Sequence, residues 1–317
     1  MSAEAVDAHD EAGFRQLAKR HERELHLHCY RMLGSLDEAD DALQETLLRA
    51  WRFRGGFEGR SSLRAWLYRI ATNVCLTIET GRRARAIPDS WDEMIQSPYP
   101  DRLLDELPDD VASPDARYDL RESVRLAFLT AIQHLSPRQR AVLILRDVLG
   151  FSAAEVAACL DTTRASVTSA LQRARAALAE RPPAPAAPSS VEEELVRRFV
   201  AAWDAVDVDG LVALLAEDVV MAMPPFPEIH RGRRALHEFF STVPAGGHLD
   251  EIRLVETRAN RQPALAAYYR DPEDGALRSY GVMVLDFDGA AIASIAGFAF
   301  AELMPVFGLP AALPPRS

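Results

Sequence analysis

Seven side chains between positions 164 and 175 have the types and spacing to read duplex nucleic acid. Arg164, Ser166, Thr168, Ser169, Gln172, Arg173 and Arg175 combine guanidiniums with hydroxyls and an amide. The first bond phosphates and guanine edges, the others base edges. Val167, Leu171, Ala174 and Leu178 recur in the same run at helical spacing, so this hydrogen-bonding front opposes an apolar back. A second group, Glu228, His230, Tyr268, Tyr280 and Asp286, has the residue types of a general base with oxyanion donors. In alternating strands half of all side chains point inward anyway, and a half-buried Tyr ordinarily packs with its hydroxyl satisfied locally. Cys29, Cys75 and Cys159 are widely separated, and the His26, His28, Cys29 cluster has no companion at zinc spacing. They read as small buried thiols, so neither a metal nor a cofactor is expected.

The elements that must position the first group are short helices. Ala141, Leu143, Ile144, Leu145 and Val148 keep helical spacing up to Leu149-Gly150-Phe151, where Gly permits the left-handed stop. Ser152 and Glu155 form a capping-box pair that starts a helix at Ala153, reaching about Leu160. Asp161-Thr162-Thr163 is a tight polar connection to the final helix. Two short helices, a turn and a helix with a cationic front match a helix-turn-helix, whose second helix enters the major groove. An ordinary helical bundle with a solvated face is the alternative.

Upstream, a helix is predicted over 14–33, ended by Gly34 and Ser35, and a second from Leu36 to Trp51 with acids in its first turn, where the macrodipole favours them. Gly55-Gly56-Phe57-Glu58-Gly59 breaks the pattern, and Ser61 or Ser62 caps a third helix, Leu63 to about Arg83. In that helix Trp66 lies on the apolar stripe with Ile70 and Val74. Arg82, Arg83 and Arg85 make a basic patch at its end.

Composition sets the frame. A chain of 317 residues, 48% hydrophobic and 26% charged, reads as two or three ordinary globular domains. Its net charge of -11 excludes a surface coated in phosphate ligands but not a local cationic stripe. No signal-peptide pattern and no long apolar run is present, so a cytoplasmic protein with no membrane association is expected.

Three stretches carry a specific resemblance: EADDALQETLLRAW (38–51), FEGRSSLRAWLYRIATNVCL (57–76) and LSPRQRAVLILRDVLGFSAAEVAACLDTTRASVTSALQRAR (135–175). They resemble regions 2 and 4 of bacterial sigma-70-family factors of the extracytoplasmic-function type. The resemblance implies a protein that binds core RNA polymerase and directs promoter-specific transcription initiation, with no chemistry of its own. Its polymerase-binding residues would be Asp40, Asp41, Gln44, Glu45, Leu48, Arg49 and Trp51. Its minus-10 segment would use Phe57 and Leu63 as apolar walls, Asn73 on a base edge, and Arg60, Arg64 and Arg69 on phosphates, with Arg82 and Arg83 beyond. Trp66 and Tyr68 are further stacking candidates, although core packing is the simpler reading of Trp66. The seven residues from Arg164 to Arg175 would then read the minus-35 element.

The expected organisation is multidomain. All-α sigma region 2 spans 10–85, an acidic, Pro-containing linker 86–116, and all-α region 4 with its helix-turn-helix 117–180. A Pro/Ala linker spans 181–190, an α+β domain 191–303 and an apolar tail 304–317. Beyond 190, helices at 191–206, 208–215 and 233–243 and strands at 219–223, 249–257, 264–270, 277–286 and 291–300 are predicted. That order, helices and then an antiparallel meander, resembles the SnoaL-like, ketosteroid-isomerase-like cone. Extracytoplasmic-function factors with such extensions resemble this architecture. The implication is regulation in cis in place of a separate anti-sigma protein, with intramolecular contact between the extension and regions 2 and 4. The alternative is a domain that binds or converts a small-molecule ligand. The apolar tail is expected to pack against another domain.

Overall fold

The computed structural model describes residues 11–57, 62–85, 95, 97–106, 123–179, 189–224, 226 and 228–314. These fall into two compact units, one within Met1–Ile95 and Asp105–Pro182, the other within Gln96–Leu104 and Pro183–Ser317.

The first unit is helical: α1 (Glu11–Leu33), α2 (Leu36–Phe53), α3 (Leu63–Arg85), α4 (Leu126–Gln133), α5 (Pro137–Leu143), α6 (Ala153–Cys159) and α7 (Arg164–Ala179). Gly34, at φ +73°, turns the chain out of α1. The Ser35 hydroxyl then caps α2 by accepting from Glu38 N at 3.4 Å. Ser62 Oγ accepts from Ala65 N at 3.1 Å and so starts α3. Helix α4, the first described in region 4, starts at Leu126, and residues 117–122 of that region lie outside those described.

Two capping boxes, Ser136 with Gln139 and Ser152 with Glu155, open α5 and α6 with both reciprocal bonds formed. Ile144–Val148 widens into a π-turn, and Gly150 at φ +72° redirects the chain. Asp161, at φ 48°, makes the tight turn before α7.

The unit's interior is unusual in holding buried charge. The Arg140 side chain is 2% exposed and donates to Ile132 O (3.1 Å), Gln133 O (2.9 Å), Leu135 O (3.5 Å) and Met32 O, as well as to Glu79 Oε1 (3.4 Å). Arg31 donates to Ser123 Oγ at 2.8 Å. Through these bonds, and through contacts of α3 with α5 and α6, the α1–α3 helices and the helix-turn-helix share one core.

The second unit places α8 (Ser189–Asp204), α9 (Val208–Ala213) and α10 (Gly232–Thr242) on one face of a sheet. The sheet is built from β1 (Leu215–Ala222), β2 (Ile229–Arg231), β3 (Ile252–Ala259), β4 (Gln262–Arg270), β5 (Leu277–Asp288) and β6 (Ala291–Phe298), in the order β2-β1-β6-β5-β4-β3. Strands β3 to β6 form an antiparallel meander, while β1 joins β6 in parallel. Leu195, Phe199 and Trp203 of α8 and Leu236 and Phe240 of α10 pack on Leu254, Leu265, Leu285 and Ile295 of the sheet.

Three expectations are corrected. β1 begins at Leu215, where a helix end was expected, and β2 was not foreseen. The apolar tail packs on the sheet of its own unit rather than on another domain. Met304 is fully buried, Tyr268 Oη donates to Pro310 O at 2.9 Å, and β7 (Ala312–Leu313) pairs with β5. Finally, part of the stretch read as a linker is built into this second unit. Tyr99 N donates to Asn260 Oδ1 and Asn260 N to Tyr99 O, both at 2.8 Å, and Pro100 bridges Ala259. Asp101, 6% exposed and opening the one-turn helix Asp101–Asp105, accepts from Arg261 N at 2.7 Å and Arg258 Nε at 3.3 Å, while Arg102 donates to Val306 O. Burial raises the Asp101 carboxyl despite those donors.

Candidate nucleic-acid and polymerase interfaces

Helix α7 presents all seven residues expected to read DNA. Arg164, Ser166, Thr168, Ser169, Gln172, Arg173 and Arg175 are exposed, while Val167, Leu171 and Ala174 are buried and Leu178 half-buried. The apolar back therefore fixes which face points outward. Three of the seven already have partners. Ser166 Oγ and N bond Thr163 Oγ1 at 2.9 and 3.1 Å, and Thr168 Oγ1 donates to Arg164 O at 3.0 Å. Arg175 forks onto Asp147, Nη2 to Oδ1 at 2.7 Å and Nε to Oδ2 at 2.8 Å. Nothing in the sequence pattern pairs Asp147 with Arg175, because they meet only across the helix-turn-helix.

On α2, Asp40, Asp41, Gln44 and Leu48 are exposed, and Glu45, Arg49 and Trp51 are half-buried. Leu48 is 63% exposed, and Phe53, which the reading missed by ending the helix at Trp51, is 59% exposed. Two large apolar side chains thus stand exposed on a helix that also presents Asp40 and Asp41. Arg49 Nε donates to Glu45 Oε1 at 2.6 Å, and the Arg54 guanidinium lies 3.5 Å from the Trp51 ring centroid.

The α3 candidates divide. Phe57 and Trp66 face each other with ring centroids 5.5 Å apart, both half-buried, and Leu63 is half-buried. Arg69 and Asn73 are exposed. Arg64 instead serves the fold: Nε donates to Glu24 Oε2 at 2.9 Å, and the guanidinium lies 4.9 Å from Tyr68 and 5.2 Å from Phe151. Arg82 is likewise engaged, by Glu38 and by Glu79 at 3.3 Å. Tyr68, 1% exposed, donates to Glu24 Oε2 at 3.1 Å, and so does not stack on bases in this arrangement. Arg60 and the Arg83 side chain lie outside the described residues.

The five acid–base candidates of the second unit do not converge. Glu228 is exposed, and the His230 ring lies tilted against Phe239 with centroids 4.9 Å apart. Asp286 accepts from Gln262 Nε2 at 3.0 Å, and the Tyr268 hydroxyl is turned to Pro310 O. Of the five, only Tyr280 borders the apolar cavity that lies between α10 and the sheet. Cys29, Cys75 and Cys159 are buried and free, and no group of three or more metal-ligating side chains occurs among the described residues. No helix there is long and apolar enough to cross a membrane.

Comparison with known proteins assigns the chain to a family. Residues 17–85 match the Sigma-70 region 2 family, 125–178 the Sigma-70 region 4 family, and 196–295 the SnoaL-like domain family. The ECF RNA polymerase sigma factor SigG of Mycobacterium tuberculosis is 43% identical over 306 residues, covering 92% of this chain and 82% of SigG. SigM of the same organism is 34% identical over 180 residues, covering 56% of this chain and 82% of SigM. The crystal structure of the M. tuberculosis extracytoplasmic function sigma factor SigJ superposes with a TM-score of 0.61 at 22% identity, covering 95% of this chain and all of SigJ. The chain belongs to the extracytoplasmic-function RNA polymerase sigma factors, proteins that direct transcription initiation and are not enzymes, and it carries a SnoaL-like domain at its C-terminal end.

Proposed function

We propose that this sigma factor contacts core polymerase through the exposed face of α2, the minus-10 element through Phe57, Leu63, Arg69 and Asn73, and the minus-35 element through α7. Its C-terminal domain regulates it in cis. The protein works in the cytoplasm, where polymerase and promoter DNA are.

One observation carries the regulatory part. Residues 97–104 lie between regions 2 and 4 in sequence, yet they are held in the C-terminal unit by the Tyr99–Asn260 exchange and the buried Asp101 carboxylate. A connector fastened to a third domain has less freedom to let regions 2 and 4 adopt the spacing a promoter demands. Fastening it or releasing it therefore alters initiation without touching either DNA-reading face.

The test is in vitro transcription with core polymerase, comparing the full chain, a chain truncated after Ala179, and the full-length Asp101→Ala variant. Inhibition in cis predicts that both altered proteins initiate more than the full chain. Lower activity in both would mean that the fastened connector assists initiation. If Asp101→Ala behaves as wild type while truncation changes activity, the connector is not the route of control.

A further inference from the structure

Helix α1 carries a cationic face that neither DNA-reading helix nor the α2 surface accounts for. Gln16, Lys19, Arg20 and Arg23 are exposed and, at helical spacing, share one side of the helix, while Ala18, Leu25 and Cys29 are buried on the other. Glu22, the acid among them in sequence, lies on the half-buried flank. In a chain of net charge -11, three cations standing together with no exposed acid between them depart from the surface as a whole.

Side-chain contacts fix where this face lies. Glu24, one turn beyond Arg20 on the same side, accepts from Arg64 Nε at 2.9 Å and from Tyr68 Oη at 3.1 Å. Further along, His28 Nε2 meets Thr72 Oγ1 at 2.9 Å and Arg82 donates to Leu33 O at 3.4 Å. Helices α1 and α3 therefore run in parallel, and the stretch 19–23 stands level with the start of α3, where Phe57 faces Trp66. On the other flank, His26 Nε2 lies 3.1 Å from Asp40 Oδ1 of α2. The cations thus occupy a strip between the minus-10 segment and the acidic face of α2. Lys19 and Arg20 have no acidic partner among the described residues. Arg23 pairs with Glu106, both side chains being 45% exposed. An ion pair so open is weak, and a phosphate can take the place of the carboxylate.

We propose that Lys19, Arg20 and Arg23 bind the phosphates of the melted DNA strand as it continues from the minus-10 segment towards the start site, an inference that rests on the minus-10 reading of Phe57, Leu63, Arg69 and Asn73. Upstream of that element the DNA is duplex, so a single strand leaves the segment on one side only. Cations that track the backbone, next to apolar walls that hold bases, are the combination single-strand binding uses. The face has charge but no apolar anchor. The large exposed apolar side chains of the described helical unit, Leu48 and Phe53, are both on α2. That composition fits a phosphate chain and not a protein partner. In the free protein Glu106 holds the position of one phosphate.

The test measures the affinity of the holoenzyme, over a range of salt concentrations, for two forked DNAs. In one the single strand stops at the last base of the minus-10 element, and in the other it extends about ten nucleotides further. The triple variant Lys19→Gln, Arg20→Gln, Arg23→Gln is expected to bind the short fork as wild type does. On the long fork it is expected to bind on the order of 10-fold more weakly near physiological salt, with a log–log salt slope shallower by about two, since each single-strand phosphate contact contributes about 0.7. Glu106→Gln releases Arg23 and is expected to tighten binding of the long fork alone. The proposal is overturned if the triple variant matches wild type on the long fork, or if it weakens both forks equally, which would make this face a polymerase contact. Asn73→Ala is expected to weaken both forks. If it leaves both unchanged, the minus-10 reading falls, while the length dependence of the triple variant still decides for or against α1.

Discussion

Arg140 shows what a single side chain contributes when it replaces several ordinary contacts. Its guanidinium serves four backbone carbonyls and Glu79 at a buried position. Removing it takes a donor from each of those acceptors at once and leaves the buried Glu79 carboxylate with Arg82 at 3.3 Å. Arg140→Ala is expected to lower the stability of the helical unit by about 3–5 kcal/mol, read by urea denaturation, against about 1 kcal/mol or less for an exposed arginine such as Arg173. His28 makes a different kind of contribution. Thr72 Oγ1 donates to Tyr68 O at 2.7 Å, so the 2.9 Å contact has His28 Nε2–H donating to Thr72. Burial, reinforced by the nearby Arg31 charge, pushes its pKa down from 6.5 to about 3. The unfolded chain therefore takes up a proton below pH 6.5 that the folded chain refuses, and stability falls as pH falls. The slope is about 1.4 kcal/mol per pH unit, or roughly 3 kcal/mol between pH 6.5 and 4. His28→Gln keeps a donor for Thr72 and cannot titrate, so its stability should vary less over that range. Parallel pH profiles for the two proteins would contradict this assignment.

At the scale of elements, α7 was legible because period and composition agree: an apolar stripe fixes one face, and the residues left over are of the types that can bond DNA. The start of α6 was legible for a different reason, since its capping box is a local signal. What could not be read was which cations are free. Arg64, Arg82 and Arg175 look like phosphate ligands in sequence, yet each is engaged by an acid distant in the chain, namely Glu24, Glu38 and Asp147. Pairings of that kind depend on tertiary packing, to which local pattern is blind. Likewise β1 was missed at its start because Leu214 and Leu215 continue the apolar spacing of α9. The α7 assignment makes two separable predictions. Gln172→Ala is expected to cost about 1–3 kcal/mol of discrimination at one minus-35 position, measured by initiation from a promoter series. Asp147→Ala releases Arg175 to a phosphate, so holoenzyme binding should strengthen on all sequences alike and its log–log salt slope should steepen by about one. A D147A protein with an unchanged slope would mean that Arg175 points away from the backbone.

At the scale of the whole molecule, the helical unit is arranged in a way that promoter geometry does not allow. Minus-35 and minus-10 elements lie about 25 base pairs apart, or roughly 85 Å of duplex. Yet the Tyr68 ring of α3 meets Phe151, just ahead of α6, at 5.3 Å, and Arg64 spans both rings. Helices in van der Waals contact cannot reach both elements at once, so initiation requires regions 2 and 4 to separate. Phe151 is 8% exposed and supplies an aromatic anchor to that contact. Truncating such an anchor typically costs about 3 kcal/mol where the contact is formed, which favours the separated state by on the order of 100-fold. With donor and acceptor dyes at Asp37→Cys and Ala176→Cys, Phe151→Ala is therefore expected to lower energy transfer in the free protein towards the value wild type reaches with core polymerase. If transfer in the free variant equals that of free wild type, the Phe151 contact does not hold the two regions together. The barrier to opening would then lie with the buried Arg140–Glu79 pair, whose loss carries the larger cost.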